Sequence, residues 1–173
     1  MKNIPTDLGR RAFLSRLASA IAAFLAAAIG VPLTGAAAGP AKRDGEEAPW
    51  VKLGPVADFQ IGQPRMVTVT ITKRDGYMRA AVGRSVWIVR SVADRFTVYN
   101  AQCTHLGCIV GYRPNSRTFL SPCHGGVFAL DDGAVLDGPP PRPLDPLTWR
   151  VEDGELLAQY QDFLVGVPQR IPL

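Results

Sequence analysis

Beyond its first 44 residues this 173-residue chain has no excess of either charge. Residues 45–173 hold thirteen Lys/Arg and thirteen Asp/Glu, whereas residues 1–44 hold six and two. The sequence pI of about 9.2 therefore belongs to the leading segment, and the missing basic field excludes nucleic acid as a partner of the rest. There is no internal repeat, so a repeat architecture is excluded. From Trp50 onward helix periodicity is scarce, which argues against a helical fold. Cysteine and histidine are scarce as well, at three and two, and none lies outside residues 103–124. Structural residues scatter through a core. This concentration instead suits a metal site, because thiolate and imidazole are the ligands that hold iron or zinc.

What is present begins with an apolar run from Leu17 to about Ala38, preceded by Lys2, Arg10, Arg11 and Arg16. A membrane span needs about 20 such residues. The run is rich in alanine and interrupted by Gly30, Pro32 and Gly35. Residues 1–38 are predicted as an N-terminal transmembrane helix, with the basic end in the cytoplasm. Gly39 to Pro49 is small, polar and charged, and reads as a flexible tether.

From Trp50 to Tyr160 short β runs dominate. Met66–Thr72 alternates with period two and is followed by the turn signal Asp75-Gly76. Val86–Val89 and Phe96–Tyr99 are further strands, leading into the first Cys/His cluster, and Arg117–Leu120 leads into the second. Val127–Leu130, Asp132-Gly133 and Ala134–Leu136 read as a hairpin. Leu147–Glu152 and Glu155–Tyr160, around Asp153-Gly154, read as another. This spacing predicts an all-β antiparallel sandwich or barrel over residues 50–160, with 161–173 as a C-terminal tail. Trp87, Phe96, Phe119 and Trp149 are expected in the core.

The two clusters are Cys103-Thr104-His105-Leu106-Gly107-Cys108 and Ser121-Pro122-Cys123-His124-Gly125-Gly126. They resemble the two boxes of a Rieske iron–sulfur domain, C-x-H-x-G-C and C-P-C-H-G, with Ser121 where that family has its first box-two cysteine. The resemblance implies a 2Fe–2S cluster with thiolates on one iron and imidazoles on the other. Carried over by position, the metal ligands are Cys103, His105, Ser121 and His124, and Cys108 pairs with Cys123 in a disulfide. Three readings of Ser121 stand open. It ligates iron as an alkoxide, giving a weaker site of lower potential; or Cys123 supplies the thiolate, although it directly precedes His124; or the scaffold is empty and held by the disulfide.

Gly138-Pro139-Pro140-Pro141-Arg142-Pro143-Leu144 resembles the proline loop that covers the cluster in this family. A proline run stiffens a loop without ladder hydrogen bonds. In high-potential members a Ser after the box-two His-Gly, and a Tyr two residues later, donate hydrogen bonds to sulfur. Gly126 and Phe128 stand there, which implies either packing variation or a low-potential centre matched to menaquinol. Gly9-Arg10-Arg11-Ala12-Phe13-Leu14 resembles a twin-arginine export signal, a route for proteins that fold before export.

The resemblance implies the electron-transfer iron–sulfur subunit of a membrane quinol:cytochrome c type oxidoreductase, not an enzyme alone. It implies a cytochrome b-type membrane subunit, a c-type cytochrome and quinol, menaquinol favoured, as partners. Leu106 and the proline loop would dock quinone beside His105 or His124. The expected location is a bacterial inner membrane, single-pass, with the domain on the periplasmic or outer side, where the disulfide is permitted. The alternative is a redox-silent structural subunit of a respiratory or photosynthetic complex. The proline loop disfavours an arsenite-oxidase small subunit. A ring-hydroxylating oxygenase is excluded as a single-chain reading, because no room remains for a mononuclear iron domain and both histidines are already used.

Overall fold

The computed structural model describes residues 6–38, 48–75 and 78–173. Lys2, residues 39–47 of the expected tether and Gly76 of the expected turn lie outside them. The chain divides into two units, Met1–Glu46 and Glu47–Leu173.

In the first unit, helix α1 (Thr6–Ala38) runs on through Pro32. Its stretch Gly9–Thr34, 26 residues long, contains an 18-residue window with a mean hydropathy of 2.0. At 1.5 Å per residue it is about 39 Å long, against roughly 30 Å for a hydrocarbon core. Two of its hydroxyls are satisfied within the helix. Ser15 donates to the Ala12 carbonyl and Thr34 to the Gly30 and Val31 carbonyls, each at 3.0 Å, so neither would be left bare in lipid.

The second unit is the expected antiparallel β domain, built as three sheets. Its strands are β1 (Trp50–Pro55), β2 (Arg65–Asp75), β3 (Met78–Val92), β4 (Arg95–Asn100), β5 (Gly111–Arg113), β6 (Thr118–Leu120), β7 (Val127–Ala129), β8 (Val135–Asp137), β9 (Pro146–Leu147), β10 (Trp149–Glu152) and β11 (Glu155–Gln159). The sheet orders are β1-β11-β10, β2-β3-β4-β9 and β5-β6-β7-β8. The β10–β11 turn is set by chemistry. Asp153 and Gly154 take φ of 51° and 77°, the pair of positive values that a two-residue hairpin turn demands and that Asp-Gly accepts cheaply.

Alternation along β3 explains the continuous apolar run Val86-Trp87-Ile88-Val89. Val86 and Ile88 face one core with Phe96, Val98, Leu156 and Tyr160. Trp87 and Val89 face a second core with Tyr99, Phe119, Phe128 and Leu144. The middle sheet is thus buried on both faces, which is why the period-two signal disappears there. Burying side chains of this size is worth roughly 1.5–3 kcal/mol each. The expected strand Leu147–Glu152 is broken at Thr148. Leu147 pairs with Val98 in the middle sheet, and Trp149 pairs with Ala158 in the first. Local alternation runs unbroken across a residue where the chain changes sheets, so no local pattern marks the break. Trp149 is half-buried and meets Phe96 edge-on, with ring centres 5.5 Å apart.

A buried polar group ties the first core to the site. The Asp162 carboxylate is only 7% exposed. It accepts the Tyr160 hydroxyl at 2.8 Å and pairs with Arg84 at 3.3 Å and with Lys73. Burial alone raises its pKa. The hydrogen bonds from Lys73 and Tyr160, with the charges of Lys73 and Arg84, outweigh burial and hold it below the ordinary carboxylate value. A depressed folded-state pKa gives stability that is present above the unfolded value, roughly 3.9, and is lost as pH falls through the folded one. Asp162→Asn is therefore expected to be destabilising at pH 7, with the gap to wild type closing below about pH 4. Urea unfolding across that range checks it, and a gap independent of pH would refute the ionic account.

Candidate metal centre

Box one, residues 103–108, joins β4 to β5. Box two, residues 121–126, joins β6 to β7. The boxes share one backbone plan. Cys103 N–H donates to the Cys108 carbonyl at 2.7 Å, and Gly107 N–H donates back to the Cys103 carbonyl at 2.8 Å. Ser121 N–H donates to the Gly126 carbonyl at 2.8 Å, and Gly125 N–H donates back to Ser121 at 3.1 Å. Gly107 and Gly125, at equivalent places, take φ of 79° and 71°, a conformation that glycine adopts without strain. Ser121 therefore occupies in box two the place that Cys103 occupies in box one. Both are buried, at 1% and 2% exposure.

The imidazoles are placed differently. His105 is half-buried and His124 exposed, and their rings meet nearly at right angles with centres 4.8 Å apart. His105 Nδ1 is the buried side-chain nitrogen or oxygen that has no hydrogen-bond partner among the described residues. A buried unpaired nitrogen is costly and fits a metal-ligating nitrogen. Cys108 and Cys123 form a disulfide, as the resemblance implied, and Cys103 keeps its thiol. With both sulfurs joined, Cys123 is not free to serve as a thiolate. Among the described residues no three His, Cys, Asp or Glu side chains gather around one point. A binuclear iron–sulfur cluster takes only two protein ligands on each iron. Two buried donors from matched loops, with two neighbouring imidazoles, suit such a group.

The loops are braced from behind. Trp87 Nε1–H donates to the Val110 carbonyl at 2.8 Å, pinning the exit of box one. Asn100 accepts the Gln102 N–H at 3.1 Å, pinning its entry, and itself donates to the Tyr160 hydroxyl at 3.3 Å beside Asp162. The proline loop holds a buried bidentate ion pair, Arg142 to Asp145, at 3.0 and 2.8 Å. The Thr104 hydroxyl donates to the Arg142 carbonyl at 2.6 Å. Gly166 N–H donates to the Thr104 carbonyl at 2.9 Å, and Arg142 Nη1 donates to the Val167 carbonyl at 2.6 Å. Residues 166–167 thus lie directly against box one. Sequence reading missed Thr104, Arg142 and Asp145. The available signal was an Arg and an Asp three residues apart inside an otherwise apolar proline run.

Leu106 is 58% exposed and Pro139 is exposed, beside the boxes. Phe128 is fully buried in the second core, so it acts as packing there and carries no hydroxyl. Tyr99, also buried in that core, donates its hydroxyl to the Asp131 carbonyl at 2.9 Å. Burial, with the charges of Asp132 and Asp131, pushes its pKa well above the usual range.

The profile of the family described as "Rieske [2Fe-2S] domain" matches residues 49–161. The menaquinol:cytochrome c reductase iron–sulfur subunit of Bacillus subtilis is 29% identical over 153 residues, covering 87% of this chain and 90% of that protein. The cytochrome b6-f complex iron–sulfur subunit of Chlorobaculum tepidum is 27% identical over 151 residues, covering 87% and 75%. A solved plasma membrane Rieske protein of Synechocystis PCC 6803 is 26% identical and covers 64% of this chain and 99% of its own, with a TM-score of 0.45.

Proposed function

The chain belongs to the Rieske [2Fe-2S] domain family, and on that premise we propose that it is the electron-transfer subunit of a membrane quinol:cytochrome c type oxidoreductase. The observation that carries this is the pair of matched loops, which together supply two buried donors and two neighbouring imidazoles. Cys103 and Ser121 would hold one iron, and His105 and His124 the other. When bound, the 2Fe–2S cluster supplies a one-electron carrier whose potential reflects its histidine ligands.

The chain's own residues do the rest. The imidazoles lie on the accessible side, so a quinol hydroxyl can reach one of them. With Nδ1 of His105 on iron, Nε2 would be the nitrogen left, and once its own proton had been given up under the metal's charge it would accept that hydroxyl's hydrogen bond and proton. Leu106 and Pro139 offer apolar surface for the quinone ring. The disulfide between Cys108 and Cys123 ties the boxes together, and Cys103 and Ser121, both buried, would keep water from the iron they hold.

The partners we propose are a cytochrome b-type membrane subunit, a c-type cytochrome and menaquinol. Support comes from the name of the Bacillus relative and from the lack of hydroxyl donors at Gly126 and Phe128. The location we propose is a bacterial inner membrane, spanned once by Gly9–Thr34, with the domain on the outer side. Arg10 and Arg11 at the helix start favour a cytoplasmic N-terminus, and a disulfide persists in an oxidising compartment. The twin-arginine reading of Gly9–Leu14 belongs to this proposal.

The test is iron and acid-labile sulfide content, with a low-temperature EPR spectrum of the reduced protein. Iron and labile sulfide are expected in equal amounts, at up to about two of each per chain as the cluster stoichiometry sets. Protein purified anaerobically from its own membrane without iron would end the electron-transfer reading and leave the redox-silent one.

A further inference from the structure

Gly126 has no room for a side chain, and the obstacle is one residue of the proline loop. A Cβ built there would lie 2.6 Å from Pro140 Cγ and 3.0 Å from its Cδ. Gly138 closes in from the same loop, since a Cβ on it would lie 2.8 Å from Gly126 Cα. Pro140 is buried, so its ring is already packed. A pyrrolidine ring is bonded to its own backbone nitrogen and moves only by pucker, unlike the end of a flexible chain. Gly126 is also held from its own side, because its carbonyl accepts the Ser121 N–H.

We infer that Pro140 is a positioning residue of the site: its ring takes the room of a side chain at 126, and so decides that box two carries no hydroxyl beside Ser121. Gly126 and Pro140 are then one exchangeable unit. A side chain at 126 requires a smaller residue at 140, and Pro140 requires glycine at 126. The packing claim stands on its own. Its consequence for reduction potential rests on the electron-transfer reading.

The experiment compares full-length wild type with Gly126→Ser, Pro140→Ala and the double variant. Hydrogen exchange at the amides flanking the prolines, Leu136, Asp137, Gly138, Arg142 and Leu144, reads the seating of the proline loop, since proline itself carries no amide hydrogen, and EPR-monitored redox titration reads the potential. Gly126→Ser alone is expected to speed exchange in the loop about tenfold or more, as overpacking does. The double variant is expected to return it to within about threefold of wild type, the signature of two coupled positions. Its potential should lie above that of wild type, because a hydroxyl near the site stabilises the reduced form. A Gly126→Ser protein that fails to fold, rescued by Pro140→Ala, supports the inference equally. Loop protection unchanged in Gly126→Ser, or no rescue in the double variant, overturns it. A rescued loop with an unshifted potential overturns the role assigned to the missing hydroxyl. Absence of iron from wild type would count against the electron-transfer reading, while the exchange rates still decide the packing claim.

Discussion

Ser121→Cys is expected to raise the iron and labile sulfide retained by each purified chain and to shift the reduction potential. Ser121 is 1% exposed and repeats the backbone hydrogen bonds of Cys103, so a thiol there would occupy a position equivalent to the first thiolate. Thiolate is the better iron ligand, since it is softer than alkoxide and largely deprotonated once metal-bound. The added bulk is small, one sulfur for one oxygen. Wild type should then hold its iron weakly, at a potential toward the negative end of the roughly −150 to +300 mV range of Rieske centres. Gly126 and Phe128 push the same way, because neither side chain donates a hydrogen bond to sulfur. The measurement is metal content after dialysis against a chelator, with redox titration of both proteins. Equal iron retention in the two would remove Ser121 from the ligand set, and a wild-type potential at the high end would contradict the hydrogen-bond argument.

Loss of the Cys108–Cys123 bond carries the second large effect. The bond closes a loop of sequence separation 15, which the chain-entropy account values at about 3 kcal/mol. Cys108→Ser and Cys123→Ser should each lower the unfolding free energy by about 2–4 kcal/mol, and the double variant by no more than either alone, because one bond is removed once. Denaturant titration of the four proteins measures this. The cost should also show at the site, since the bond joins the end of box one to the middle of box two. Additive losses in the double variant, or losses below about 1 kcal/mol, would mean that the loops are held by the Arg142–Asp145 brace and the core instead.

The two matched loops and the disulfide between them were legible in the sequence because each box is local. Each box carries its donors within six residues, and the glycines at 107 and 125 announce the tight backbone that both boxes adopt. Strand signals were legible for the same reason. Asp153-Gly154 makes the turn it advertises, and β2, β4 and β11 lie where period-two alternation or β-branched runs placed them. The N-terminal helix followed from a run of apolar side chains.

What failed to show in the sequence depends on partners distant along the chain. The break at Thr148 is invisible locally, because it exists only where β4 and β11 belong to different sheets. Thr104 meets Arg142 across 38 residues of sequence and Arg142 meets Val167 across 25, each through a single hydrogen bond, and no spacing rule records such a contact. Gly126 reads in the sequence as a missing donor, whereas packing against Pro140 shows that a donor would not fit. The sequence alone determined which atoms are available to a metal and which segments form strands. Only the tertiary structure decided how closely the loops approach, because close packing is a property of all the neighbours at once.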